Sequence, residues 1–125
     1  MSGVCLLAGG TSAKVAAGLL TLAWTHSVEK IEWQEVWRAT PAGLEIVEAR
    51  VRGSGAGMEP GEDARLVDGR WVWRPRRPAV AELWLARSGA TADWRICVDG
   101  VCRTAEEILG RAMDGEAVRL VGCAD

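Results

Sequence analysis

Hydrophobic residues along the chain recur in short runs that alternate with polar residues, and glycine, proline or Asp-Gly pairs separate the runs. A period of two residues is typical of strands that bury one face. Turn residues that separate short runs at regular intervals are typical of all-β domains. The pattern predicts ten strands, which cover residues 3–9, 14–28, 31–39, 44–53, 64–67, 70–75, 80–87, 94–98, 101–104 and 116–122.

Turns and one helix can be placed from local signals. The pairs Asp68-Gly69 and Asp99-Gly100 each predict a two-residue hairpin turn, because both central residues of such a turn need a positive φ. The stretch "TAEEILGRAM", residues 104–113, predicts a helix. Thr104 and Glu107 have the spacing of a capping box at its start.

The length and the elements together predict the fold class. A chain of 125 residues fits one domain, so residues 1–125 are expected to form a single all-β domain. Many short strands in so small a domain predict a compact β-sandwich or a partly open β-barrel, with one short helix near the C-terminus.

Charge and hydropathy exclude several classes of protein. A formal net charge of −2 argues against a general nucleic-acid binder, which needs a basic face for phosphates. No uninterrupted apolar run approaches about 18 residues, so we expect no integral membrane segment. The apolar start of the chain, residues 1–24, is interpreted as two strands and a turn rather than a signal peptide, because Gly9 and Gly10 interrupt it and Lys14 lies within it.

The four cysteines can form disulfides or bind a metal ion, and their spacing helps to distinguish the two. Cys97 and Cys102 flank the turn at Asp99-Gly100, so they are expected to face each other at about 4.5 Å between Cα atoms. That spacing suits a disulfide, and Cys5 with Cys123 can form a second bridge between the chain ends. Zinc sites usually space their cysteine pairs more tightly, so no metal site is expected.

The only histidine lies in "WTHSVEKIEWQEVW", residues 24–37. Alternation puts Trp24 and His26 on one face of their strand, and Trp33 and Glu35 on one face of the next. A two-residue turn would set His26 opposite Trp33, and a four-residue loop would set it opposite Glu35. Either register predicts a pair between His26 and Glu35, walled by indoles.

This pair has two interpretations. It can be a structural contact, because buried polar groups are normally hydrogen-bonded. It can also be a ligand or proton-handling site in a tryptophan-lined pocket. A nucleophilic pair of His26 and Ser27 is disfavoured, because adjacent strand residues point to opposite faces.

Two further segments carry weaker signals. "GSGAGM", residues 53–58, lacks the lysine and helix of a phosphate-binding loop, so a bulge or crossover between sheets is expected there. "RWVWRPRRP", residues 70–78, is basic and aromatic enough for a nucleic-acid stacking platform. Alternation instead favours core tryptophans at 71 and 73 with solvated arginines, so no nucleic-acid partner is expected.

Several segments together resemble the bacterial family catalogued as domain of unknown function 1850. The resemblance runs from about residue 4 to residue 123, and its segments are "WTHSVEKIEWQEVWR", "EARVRGSGAGM", "DGRWVWRP", "LWLARSGATADWRICVDGVCR" and "VRLVGC". It implies a small protein associated with TRAP-type solute transporters of the TAXI class. The polar positions that the resemblance singles out are His26, Ser27, Glu35, Gly55, Ala56 and Gly57.

These observations lead to one main hypothesis about function. The resemblance implies a non-enzymatic accessory or binding protein that contacts a transporter component or a small organic anion, with no cofactor. Its candidate ligand-binding residues are Trp24, His26, Ser27, Trp33, Glu35, Gly55, Ala56 and Gly57. The alternatives are a small acid–base enzyme that uses His26 and Glu35, and a purely structural interaction module. The lack of a clear signal peptide favours the cytoplasm, whereas the family context favours the periplasm.

Overall fold

The structure, a computed structural model, describes residues 2–25, 32–52, 63–85, 94–110 and 117–124. Eleven strands and one short helix occupy these ranges. In chain order they are β1 (Ser2–Ala8), β2 (Thr11–Val15), β3 (Leu19–Thr25), β4 (Glu32–Thr40), β5 (Gly43–Arg52), β6 (Arg65–Val67), β7 (Arg70–Trp73), β8 (Glu82–Leu85), β9 (Arg95–Val98), β10 (Val101–Thr104), α1 (Ala105–Leu109) and β11 (Val118–Ala124).

The strands form two open antiparallel sheets. The large sheet has the order β10-β9-β3-β4-β5-β7-β6, and the small sheet has the order β2-β1-β11-β8. The predicted all-β sandwich with one short helix near the C-terminus is therefore confirmed. Within the described ranges, no helix has the length and apolarity needed to cross a membrane.

The core lies between the two sheets. Leu6 and Leu120 of the small sheet are buried against Leu22 and Leu44 of the large sheet, and each is at most 1% exposed. Burial of one such side chain contributes roughly 1.5–3 kcal/mol to folding. This apolar contact is what the alternation of the strands encodes.

The run 14–28 is two strands, so its prediction as one strand is wrong. β2 ends at Val15 in the small sheet, and β3 begins at Leu19 in the large sheet. The amide of Ala17 donates to the carbonyl of Val15 at 2.8 Å, which turns the chain between them. Apolar residues continue through this turn, so hydropathy alone does not reveal it.

The helix begins where the sequence predicts and ends early. Thr104 and Glu107 form the predicted capping box. Gly110 adopts a left-handed conformation with φ 76° and ends the helix after Leu109, short of the predicted residue 113.

Both predicted Asp-Gly hairpin turns are confirmed. Asp68 and Gly69 have φ values of 49° and 79°, and Asp99 and Gly100 have values of 51° and 82°. Positive φ at both central residues is the signature of the tight turn that matches the twist of paired strands.

Residues 74–80, here called the crossing segment, carry the chain from the large sheet to the small one. Leu44 and Val80 exchange two backbone hydrogen bonds of 2.7 and 2.8 Å, which attach the end of this segment to β5. Gly43 has φ +124°, and a Cβ there would lie 2.4 Å from the carbonyl oxygen of Val80. Glycine is therefore required where the crossing segment meets β5.

All four cysteines are paired in the structure. Cys97 and Cys102 oppose each other on β9 and β10 and form a disulfide with a Cα separation of 4.0 Å. A second disulfide joins Cys5 on β1 to Cys123 on β11, residues that are 118 positions apart in the sequence. The Cys97–Cys102 bridge links the two strands of one hairpin, and the Cys5–Cys123 bridge closes a loop that contains almost the whole chain.

The two disulfides should stabilise the protein unequally. In the chain-entropy description, closing a loop of 118 residues restricts the unfolded chain by about 5 kcal/mol, and closing a loop of 5 residues by about 2 kcal/mol. We expect Cys5→Ala/Cys123→Ala to lower the free energy of unfolding more than Cys97→Ala/Cys102→Ala. Urea unfolding of the oxidised proteins measures this order, and the reverse order would contradict it.

Candidate functional site

The hairpin of β3 and β4 carries the described part of the predicted site. Trp24 pairs with Trp33, and Leu22 pairs with Glu35. Cross-strand partners share a face, so the predicted common face of Trp24, Trp33 and Glu35 is confirmed.

Both registers expected for this hairpin are wrong. They set His26 opposite Trp33 or Glu35, whereas the structure sets Trp24 and Leu22 opposite these residues. The observed register brings the indoles of Trp24 and Trp33 into a stacked arrangement with ring centroids 6.2 Å apart. The register therefore pairs apolar residues across the two strands, and it differs from both registers expected from His26 and Glu35.

Five candidate residues lie outside the described residues: His26, Ser27, Gly55, Ala56 and Gly57. The predicted pair between His26 and Glu35 involves one of them and stays a prediction. The described site is built around Trp24, Trp33 and Glu35.

Four indoles, here called the tryptophan row, lie in contact along the inner face of the large sheet. Trp94 packs against Trp24 at 4.4 Å between ring centroids, Trp24 stacks on Trp33, and Trp73 meets Trp33 edge-on at 6.2 Å. Such pairs contribute roughly 0.5–1.5 kcal/mol each beyond their burial. The sequence predicted Trp24 and Trp33 together, but the positions of Trp73 and Trp94 depend on strand pairing.

The indole nitrogen of Trp33 has an unusual environment. Trp33 is 7% exposed, and among the described residues its buried Nε1 is the side-chain donor without a hydrogen-bond acceptor. An unsatisfied buried donor costs roughly 1–3 kcal/mol. The packing of Trp33 between Trp24 and Trp73 must therefore offset this cost.

Glu35 lies beside the tryptophan row with two partners. Its Oε1 accepts a hydrogen bond of 3.1 Å from Trp37 Nε1, and its Oε2 lies 3.7 Å from the guanidinium of Arg77. The Glu35 side chain is 21% exposed, and that of Arg77 is 55% exposed. A donor and a cation therefore fix the position of this carboxylate at the rim of the core.

A second polar cluster, on the outer face of the large sheet, was not anticipated. Glu32 accepts bonds from Arg95 at 2.7 Å, Arg70 at 3.4 Å and Gln34 at 3.0 Å, and Arg50 continues the cluster from Gln34. Glu32 and Gln34 alternate with Trp33 and Glu35 along β4, so they point to this opposite face. The arginines arrive from β7, β9 and β5, so their convergence required the sheet order.

The basic segment after β6 divides its side chains as predicted. Trp71 and Trp73 pair with Val51 and Ala49 on the inner face, and Arg70 reaches Glu32 on the outer face. Both indoles are only partly buried, so they border the core rather than fill it.

The groups of this site are suited to non-covalent binding. Indoles offer flat apolar area, and Arg77 offers a partly exposed cation held by Glu35. Within the described ranges, no group of three or more His, Cys, Asp or Glu side chains is arranged to hold a metal ion.

Substitutions at Glu35 should separate its hydrogen bond from its ion pair. Glu35→Ala leaves Trp37 Nε1 without its acceptor, so we expect a loss of about 1–3 kcal/mol in the free energy of unfolding. Glu35→Gln keeps an acceptor and removes the charge beside the exposed Arg77, so we expect a loss below about 1 kcal/mol. Urea unfolding measures both, with Glu45→Gln as a control because Glu45 is more exposed than Glu35 and, among the described residues, pairs with Arg38 alone. Equal losses for the two Glu35 variants would contradict this division.

Comparison with known proteins yields one family. No curated protein and no solved structure gives a significant match to the chain. The sequence model described as "Domain of unknown function (DUF1850)" matches residues 20–104, which include β4 to β10, all of β3 except Leu19, the tryptophan row and Glu35. That match covers more than half of the chain, and the protein therefore belongs to the DUF1850 family.

Proposed function

We propose that this protein is a non-enzymatic accessory protein of a TRAP-type transporter of the TAXI class, and that it binds a protein component of that transporter. The resemblance of its segments supports the link to the transporter. The inner face of the large sheet supports binding as the activity.

The observation that carries the proposal is a continuous row of apolar residues across the large sheet. Register places Trp24, Trp33, Val51, Trp71 and Leu66 opposite one another on β3, β4, β5, β7 and β6. Trp33 and Val51 in the middle of the row are buried, and the row becomes exposed toward β6, where Leu66 is 62% exposed. We call Trp71 and Leu66 the exposed end of the row.

This exposed end has the features of a protein contact. It lies at the last strand of the sheet, where Val67 is also 46% exposed. Exposed sheet edges can accept a strand from a partner, and partly buried tryptophans are frequent energetic centres of interfaces. Val67 pairs with Arg70 and points to the outer face, so a partner bound on the inner face would cover Leu66 together with the rim of Trp71.

The polar residues support binding rather than catalysis. Glu35 is engaged by Trp37 and Arg77, as a residue with a structural or positioning role would be. The two disulfides favour an oxidising compartment, where an accessory protein could meet the extracytoplasmic part of a transporter.

Leu66→Asp should weaken binding to the transporter component without disturbing the fold. The side chain is exposed, so the new charge is hydrated in the free protein and must be desolvated in the complex. We expect affinity to fall at least about tenfold in a pull-down followed by biolayer interferometry, with the solute-binding protein and the detergent-solubilised permease as baits.

Val101→Asp is the matched control, since Val101 is 65% exposed on β10 at the opposite edge of the same sheet. Trp71→Ala and Trp84→Ala form a second pair, because Trp84 is exposed on the small sheet. The proposal fails if neither bait binds and deletion of the gene leaves solute uptake intact. Equal losses for Leu66→Asp and Val101→Asp would remove the exposed end of the row as the contact.

A further inference from the structure

A cleft of about 340 Å³ lies between β5 and the crossing segment. We call it the arginine cleft, and its lining residues are Glu45, Ile46, Asp63, Arg74, Pro75, Arg76 and Arg77. This volume falls within the range of pockets that hold small ligands.

The cleft follows from the proline content of the crossing segment. β7 pairs with β5 as far as Trp73 and Ala49, and contact with β5 resumes at Val80 and Leu44. Pro75 and Pro78 lie between these points and have no amide hydrogen to donate to a strand ladder. The segment therefore leaves the edge of β5 and rejoins it, and the cleft is the space that it spans.

The charges around the cleft are unevenly compensated. Arg77 pairs with Glu35, and Glu45 lies 3.8 Å from Arg38. Within the described part of the chain, the exposed side chains of Arg74 and Arg76 have no carboxylate partner. Asp63, the other lining carboxylate, also has no ion pair within the described residues. Two unpaired arginines therefore face one unpaired carboxylate, and the cleft carries a net positive charge.

We propose that the arginine cleft binds the carboxylate of a small organic acid. A guanidinium presents parallel N–H donors that match the two oxygens of a carboxylate, and two such groups flank Pro75. Pro75, which is partly exposed, provides an apolar surface for the carbon chain of the acid. Charge, donor geometry and an apolar wall therefore occur together in a space of ligand size.

The surrounding structure limits the freedom of this site. Proline restricts φ at positions 75 and 78, and the bonds between Leu44 and Val80 fix the far end of the crossing segment. The pair between Arg77 and Glu35 attaches its middle to β4. A restrained segment loses less conformational freedom when a ligand binds, which favours affinity.

The inference concerns a ligand of the isolated protein and does not rest on the proposed contact with a transporter component. Its test uses the full chain with butyrate, succinate and inorganic phosphate as probes. Arginine side-chain Nε–Hε resonances are followed by NMR at an ionic strength of about 0.15 M, where long-range attraction is screened. We expect saturable shifts at Arg74 and Arg76 with a Kd below about 1 mM for at least one carboxylate.

The double variant Arg74→Gln/Arg76→Gln should weaken carboxylate binding at least about tenfold. Its matched control is Arg52→Gln/Arg103→Gln, which removes the same charge from two exposed arginines outside the cleft. All four side chains are exposed, so the fold should persist, and unchanged urea midpoints verify this.

Three results would overturn the inference: no saturable shift up to about 10 mM of either carboxylate, equal weakening by both double variants, or shifts centred on residues outside the cleft. Binding of phosphate without binding of either carboxylate would also overturn it. None of these results depends on a transport protein, so the contact proposed above would stand or fall separately.

Discussion

The paired hydrogen bonds between Leu44 and Val80 fix the point at which the chain leaves the large sheet for the small one. Leu44 is 1% exposed and packs in the core, so this attachment is anchored by apolar burial. The absence of a Cβ at Gly43 permits the close approach. Once both ends of the crossing segment are held, the position of Arg77 beside Glu35 and the space of the arginine cleft follow.

The two faces of the large sheet divide its chemistry. The inner face carries the tryptophan row around the buried indole of Trp33, and also the apolar row that ends at Trp71 and Leu66. The outer face carries the cluster centred on Glu32, whose partners come from several strands. The arginine cleft lies apart from the cluster centred on Glu32, beside β5 and the crossing segment.

Sequence reasoning succeeded where a property depends on residues close together in the chain. Alternation placed Trp24, Trp33 and Glu35 on one face, and the turns at Asp68 and Asp99 formed as expected. It failed at the run 14–28 and at the register of β3 with β4. In both cases the outcome depends on which strand lies alongside, and a run of alternating residues is compatible with several neighbours.

By itself, the sequence determined the all-β class, the faces of the strands, the tight turns and the start of the helix, because these follow from φ preferences, capping and a two-residue period. It also made a pairing of Cys97 with Cys102 geometrically available. Only the tertiary structure decided that Trp73 and Trp94 join the tryptophan row and that Arg77 meets Glu35. These contacts join residues distant in sequence, and their positions are set by sheet order and by burial between the sheets.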